Sequence, residues 1–321
     1  MKHFTLETID HARYKPTIRI QVSGGSRPRV TLEHAITGKR FLFKTYSHNS
    51  REVWAECLAS HLGEIFGIPI QKVVIKKAST NMIKILKGNY GKYLPSDWKP
   101  IGTLARDIFL KDEEIVYGAK IVGTASDALT LSQIETDIRK QYYAPEDLLQ
   151  SFAQMIVFDA IIGNMDRHHE NWGIVEHLQY RQQLLFGKNT LVEKRHFVPL
   201  YDHGSSLMFE IKSEGKIGEY LANEDLFRSK YIFGANYSFL KDTDGNECNV
   251  FEVIRQNIIE NTEWGKRFKK AVLPLGQASL MEIAKAIAKM PNAKELDYST
   301  NRKELLIRSI IIRRDELLSM L

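Results

Sequence analysis

The hydrophobic pattern of this chain changes period about a third of the way along, which restricts it to folds that join a sheet to a helical region. Over the first ~85 residues apolar and polar positions alternate, as in PTIRIQVS, PRVTLEHA and KRFLFKTY, with GGS and TGK turns between them. These runs predict an antiparallel meander. One segment, NSREVWAECLASHLGEIFGIP, interrupts it with Val53, Trp54, Cys57, Leu58, Leu62, Ile65 and Phe66 at helical spacing, Asn49 as the cap, and Gly67 and Pro69 as the stop. QKVVIKK and NMIKILK read as two further strands. Glycine, proline and polar residues then gather in GNYGKYLPSDWKPIG. Beyond it, helical patterns cover 129–141, 145–162, 249–261, 279–290 and 301–320, interrupted by the strand-like runs WGIVEH and RHFVPLYD, which bracket a polar, basic insertion and read as a hairpin. The expected organisation is a β-rich unit over 1–98 and a largely helical unit over 99–321.

Composition removes several function classes. With 321 residues, 43% of them hydrophobic, the chain can bury a large core and suits two lobes. Its net charge of +6 comes from 45 basic and 39 acidic residues that are scattered rather than clustered, so nucleic-acid binding is not expected. Two cysteines, Cys57 and Cys248, give neither a disulfide framework nor a metal-ligand pair. No signal core or membrane span is legible, which predicts a cytoplasmic protein, with export by a non-Sec route or delivery to a host cell left open. HHE at 168–170 is not the HExxH of a zinc helix, and DTDGNE has Leu240 where a calcium loop would open with an acidic group, so both read as polar turns. The terminal RKELLIRSIIIRRDELLSML reads as a core-packing helix rather than a membrane-surface one.

The densest chemistry lies in IIGNMDRHHENWGIV, where a predicted helix gives way to the first strand of the hairpin. Asp166 and Asn171 sit five residues apart, and the hairpin would return Asp202 of VPLYDHGSS beside Asn171. Carboxylate and amide oxygens suit magnesium, which shares its coordination with nucleotide phosphates, and Asp166 is placed to accept the proton of an attacking hydroxyl. In the first unit SGGSRPR lies between strands, where Ser23, Gly24, Gly25 and Ser26 would turn backbone N–H groups toward an anion, followed by Arg27 and Arg29. Lys44 stands on a strand just before a helix that carries Glu52 and Glu56. A strand lysine held by a helix carboxylate presents its ammonium to nucleotide phosphates in kinases. Either glutamate could serve, and if Glu52 caps the helix, Glu56 takes the pairing role.

These segments resemble the HipA-like serine/threonine kinases, a family related in fold to protein kinases and phosphatidylinositol 3/4-kinases. NMDRHHEN looks like the family's N-x-D-R-H-x-x-N catalytic loop, PLYDHGSS like its metal-binding segment and GGSRPR like its phosphate loop; WAECLASHLGEIFGIPI and IGTLARDIFLKDEEIVYGAKIV extend the similarity over most of the chain. The chain also resembles the compact bacterial cell-translocating type of this family. The resemblance implies an α+β, two-lobed protein-kinase-like fold with ATP in the cleft, Asp166 as catalytic base, Asn171 and Asp202 as Mg2+ ligands, Lys44 as the phosphate-pairing lysine, residues 24–29 as the nucleotide loop, and Arg167 and His168 as loop organisers. It also implies a protein substrate and autophosphorylation in the loop at Ser23 or Ser26. The sequence departs from the family at Arg29, where lysine is commoner, at His203 instead of phenylalanine, and in the long separation of Asn171 from Asp202. It also opens directly on the nucleotide-binding unit, so an antitoxin partner is not assumed. A small-molecule or lipid kinase, and a nucleotide-binding pseudokinase, would share the same residues.

Overall fold

The structure, a computed structural model, describes residues 6–17, 27–107, 113–123, 129–177, 195–234, 239–242, 244–291, 296 and 298–321. The alternating runs form strands β1 (Tyr14–Pro16), β2 (Arg29–His34) and β3 (Arg40–Thr45), followed by helix α1 (Arg51–Ile65), β4 (Val73–Lys77), helix α2 (Thr80–Tyr90) and β5 (Ile101–Arg106). The five strands make one antiparallel sheet in the order β1-β2-β3-β5-β4. Its last strand lies past residue 98, so the sheet runs on to Arg106. Register sets Lys44 opposite Arg29 on one side and Thr103 on the other. The pleat then buries Phe43 and Thr45 and turns Lys44 to the opposite face.

One expected strand is a helix. NMIKILK belongs to α2, because its apolar residues pair at helical spacing: Met82 and Leu86, one turn apart, are both buried and pack with Val30, Leu32, Phe43 and Leu104.

The second region contains β6 (Glu113–Tyr117), α3 (Gly118–Val122), α4 (Leu131–Gln141), α5 (Glu146–Ile162), β7 (Gly173–His177), β8 (Arg195–Phe197), α6 (Glu214–Ala222), α7 (Glu224–Phe227), α8 (Val250–Ile259), α9 (Glu263–Val272), α10 (Leu280–Lys289) and α11 (Thr300–Leu318). The expected hairpin is present as β7 and β8, and β6 joins it to make a three-stranded antiparallel sheet. At its centre α5 is apolar nearly all round and packs on α9 and α11. The terminal helix is a core element: Leu305, Leu306 and Ile310 are buried, and so are Arg302 and Arg313, whose guanidinium groups donate to the carbonyls of Ile211 (2.8 Å) and Ala160 (3.0 Å). Among the described residues no single helix is long and apolar enough to cross a membrane; one pair, Glu263–Gln277 with Leu280–Lys289, would qualify only jointly, and it is bent by 75°.

Helix α1 ties the two regions together. Twelve of its fifteen residues are buried, so it has no solvent face to swing toward. Arg51 Nε donates to the Phe209 carbonyl (2.6 Å), and the Trp54 and Tyr298 rings lie 4.9 Å apart. Beyond its Gly67 stop, in the left-handed conformation with φ of 66°, the chain makes a parallel bridge between Ile70 and Leu200.

Candidate active site

The site begins where α5 stops. Gly163 adopts φ of 62° and closes the helix, and buried Asn164 turns back to it, its amide nitrogen donating to Asp159 Oδ1 (2.9 Å). Asn164 Oδ1 in turn accepts the backbone N–H of Asp166 (3.3 Å), which fixes the loop beneath that residue. The Asp166 carboxylate is exposed and accepts a hydrogen bond from Ser205 Oγ (3.1 Å).

Arg167 holds the loop against the hairpin. Its guanidinium is 1% exposed and grips Asp159 through two bonds, Nε to Oδ2 (2.9 Å) and Nη2 to Oδ1 (2.8 Å). Its Nη1 donates to the carbonyls of Asn171 (2.8 Å) and Tyr201 (3.0 Å). One buried cation therefore ties Asn171 to Tyr201, the neighbour of Asp202. Asn171 is 5% exposed, and its Nδ2 donates to the Asp166 carbonyl (3.3 Å), which leaves its amide oxygen as the potential ligand. His168 makes local contacts, accepting the Glu170 N–H at 3.3 Å and lying 6.2 Å from the His169 ring.

Asp202 follows in a left-handed conformation, φ of 60°, which aspartate adopts more readily than bulkier residues. Burial alone would raise its pKa, but Lys44 and Arg27 outweigh that cost and hold the carboxyl well below the usual carboxylate range. Next to it His203 is 2% exposed and accepts from Arg167 Nη2 at Nδ1 (3.2 Å). Burial, with the Arg167 charge beside it, pushes the imidazole pKa down to about 3, so the ring is neutral with its proton on Nε2. The residue that replaces phenylalanine is thus part of the core, edge-on to Phe158 at 5.4 Å.

The expected partner of Lys44 is corrected by the geometry. Its ammonium pairs with Asp202 Oδ1 (2.5 Å), and both α1 glutamates pair with Arg27 instead, Glu52 at 3.3 Å and Glu56 at 3.5 Å. Arg27 also reaches Asp202 Oδ1 (3.4 Å) and Ser205 Oγ (3.1 Å). Glu52 has a second duty as a cap, accepting the N–H groups of His48 (2.9 Å) and Asn49 (3.2 Å). The reason is electrostatic: a guanidinium can fork to several carboxylates at once, whereas the lysine ammonium takes the nearest one.

This ion cluster separates two hollows. On one side a cavity of about 130 Å³ is lined by Arg29, Lys44, Glu56, Tyr117, Tyr201 and Asp202, and on the other an opening of about 560 Å³ is lined by Arg27, His48, Asp166, Ser205, Phe209 and Lys212. Ser23, Gly24, Gly25 and Ser26 lie outside the described residues. Sequence reasoning missed Asp159 and Ser205. Asp159 had a signal, a lone charge inside the apolar run SFAQMIVFDAII; Ser205 had none beyond standing three residues after Asp202.

Asp202 and the Asn171 amide offer hard oxygen donors, the kind magnesium takes when phosphates complete its shell. Among the described residues no group of three or more His, Cys, Asp or Glu side chains is arranged to hold a metal by itself.

No family model and no curated protein sequence matches the chain. Solved structures do. The proinflammatory kinase CtkA of Helicobacter pylori superposes with a TM-score of 0.73 over 98% of this chain and 96% of its own, at 18% identity. The chain has the fold of the HipA-like kinases. HipA of Shewanella oneidensis, solved as a toxin–antitoxin complex with HipB and operator DNA, superposes with a TM-score of 0.56 over 98% of this chain and 68% of its own, at 12% identity. The β-rich and helical regions of this chain correspond to that kinase-like architecture.

Proposed function

We propose that this chain is a magnesium- and ATP-dependent kinase that transfers the γ-phosphoryl group to serine or threonine hydroxyls of proteins. The observation that carries it is the position of the Asp166 carboxylate. It stands exposed at the larger opening and is linked through Ser205 and Arg27 to the Lys44–Asp202 pair, so one chain of contacts joins a proton acceptor to charge-neutralising groups. The kinase-like fold supports the same reading.

In this reading Asp166 orients the acceptor hydroxyl and takes its proton, while Asn171 and Asp202 hold the metal. Bound ATP supplies the phosphoryl group, and magnesium neutralises the charge on its phosphates. Lys44, paired with Asp202 in this structure, would supply its ammonium to the nucleotide phosphates. Arg167 and His168 organise the loop, Arg167 from the core and His168 at its surface.

The test is incubation with γ-labelled ATP, magnesium and a mixture of protein and lipid acceptors. Label on protein serine or threonine is expected. Label on lipid alone would reassign the acceptor, and no magnesium-dependent transfer at all would overturn the reading.

A further inference from the structure

We propose that Ser205 is a positioning residue for Asp166, and that Arg27 sets it, so the base is aligned only while the Arg27 guanidinium is seated over Gly204. The proposal rests on the reading of Asp166 as the base. Hydrogen-bond polarity makes the chain of contacts directional. Arginine has only donors, so Arg27 Nη2 donates to Ser205 Oγ at 3.1 Å; the single serine proton is then directed to Asp166 Oδ2, also at 3.1 Å. One carboxylate oxygen is thereby fixed, and the other is left for the proton of an acceptor hydroxyl.

The seat of the guanidinium is specific. A Cβ at Gly204 would lie 2.0 Å from Arg27 Nη1 and 2.7 Å from Cζ, so any other residue there would displace the guanidinium. Three carboxylates hold it, Glu52 at Nε (3.3 Å) and both Asp202 (3.4 Å) and Glu56 (3.5 Å) at Nη1. A lone serine in a turn needs no such seat, and nothing in the helix-capping role of Glu52 requires Arg27 to reach Ser205.

The experiment measures turnover and magnesium–nucleotide affinity for Ser205→Ala, Ser205→Thr, Arg27→Lys and the Ser205→Ala/Arg27→Lys double variant. Ser205→Ala should lower kcat about tenfold, since a base free to rotate spends less time in register. The KM for ATP and the nucleotide affinity should stay within about twofold. Ser205→Thr keeps the hydroxyl and should recover most of the rate. Arg27→Lys keeps the charge but loses the fork, and the double variant should be no slower than the slower single, because both act through one contact. If Arg27→Lys does not fold, Gly204→Ala, whose Cβ must evict the guanidinium, takes its place. A Ser205→Ala enzyme with wild-type kcat, or losses that add in the double variant, would overturn the proposal while leaving Asp166 as the base. A wild-type protein that transfers phosphate to no acceptor would remove both.

Discussion

At the scale of single residues, the site depends on a charge buried where water cannot reach it. Arg167 is compensated by Asp159, itself 1% exposed, and the pair has no solvent to fall back on. Asp159→Ala should therefore cost about 3–5 kcal/mol, because it leaves an uncompensated guanidinium in the core. A urea titration reads this directly, and a midpoint equal to wild type would refute it. Asp202→Ala should act differently, weakening magnesium-dependent nucleotide binding together with turnover, since it removes the proposed metal ligand and frees Lys44. Isothermal titration with and without magnesium checks this, and an unchanged magnesium dependence would move the metal elsewhere. Asp166, Asn171 and Asp202 could be singled out in the sequence because their residue types and order suggest a chemistry. The partner of Lys44 was not, because order along a chain does not say which of several carboxylates lies nearest in space.

Among the elements, β3 and β5 carry the most consequence, since their pairing places Lys44. Gly102 on β5 approaches β3 so closely that a Cβ would lie 2.4 Å from the Lys44 carbonyl oxygen and 2.6 Å from Phe43 Cζ. Gly102→Ala should destabilise by about 1–3 kcal/mol through overpacking and should weaken nucleotide binding by moving Lys44. Melting curves and nucleotide affinity measured on the same preparation decide it; a variant unchanged in both would contradict the close approach. The same strand explains a failure of sequence reading. Ile101–Ala105 are all buried, so β5 shows no two-residue alternation and no strand signal at period two. The α2 segment failed for the opposite reason: apolar pairs flanked by lysines fit both periods, and only packing of Met82 and Leu86 on the sheet selects the helix. α1, α5 and α11 were legible, being long and bounded by clear stops.

For the whole molecule, His203 makes stability depend on pH. Its folded pKa of about 3 lies below the ordinary 6.5, so the unfolded chain takes up a proton that the folded one refuses. This contribution is constant above pH 6.5 and is lost as pH falls from 6.5 toward 3, by about 2 kcal/mol at pH 5. Denaturant midpoints at pH 7 and pH 5 should differ accordingly in wild type and converge in His203→Gln; equal slopes in both proteins would contradict it. The two regions are joined by α1, the Ile70–Leu200 bridge and the Arg51–Phe209 bond, so Glu52 and Glu56 are held in place by packing. A chain built this way should bind nucleotide without its base and fail only at transfer. The most direct measurement sets phosphoryl-transfer rate beside magnesium–ATP affinity for wild type and Asp166→Asn. Transfer should fall by at least about 100-fold while affinity stays within about twofold; an Asp166→Asn protein that transfers phosphate at the wild-type rate would contradict the assignment of Asp166 as the base.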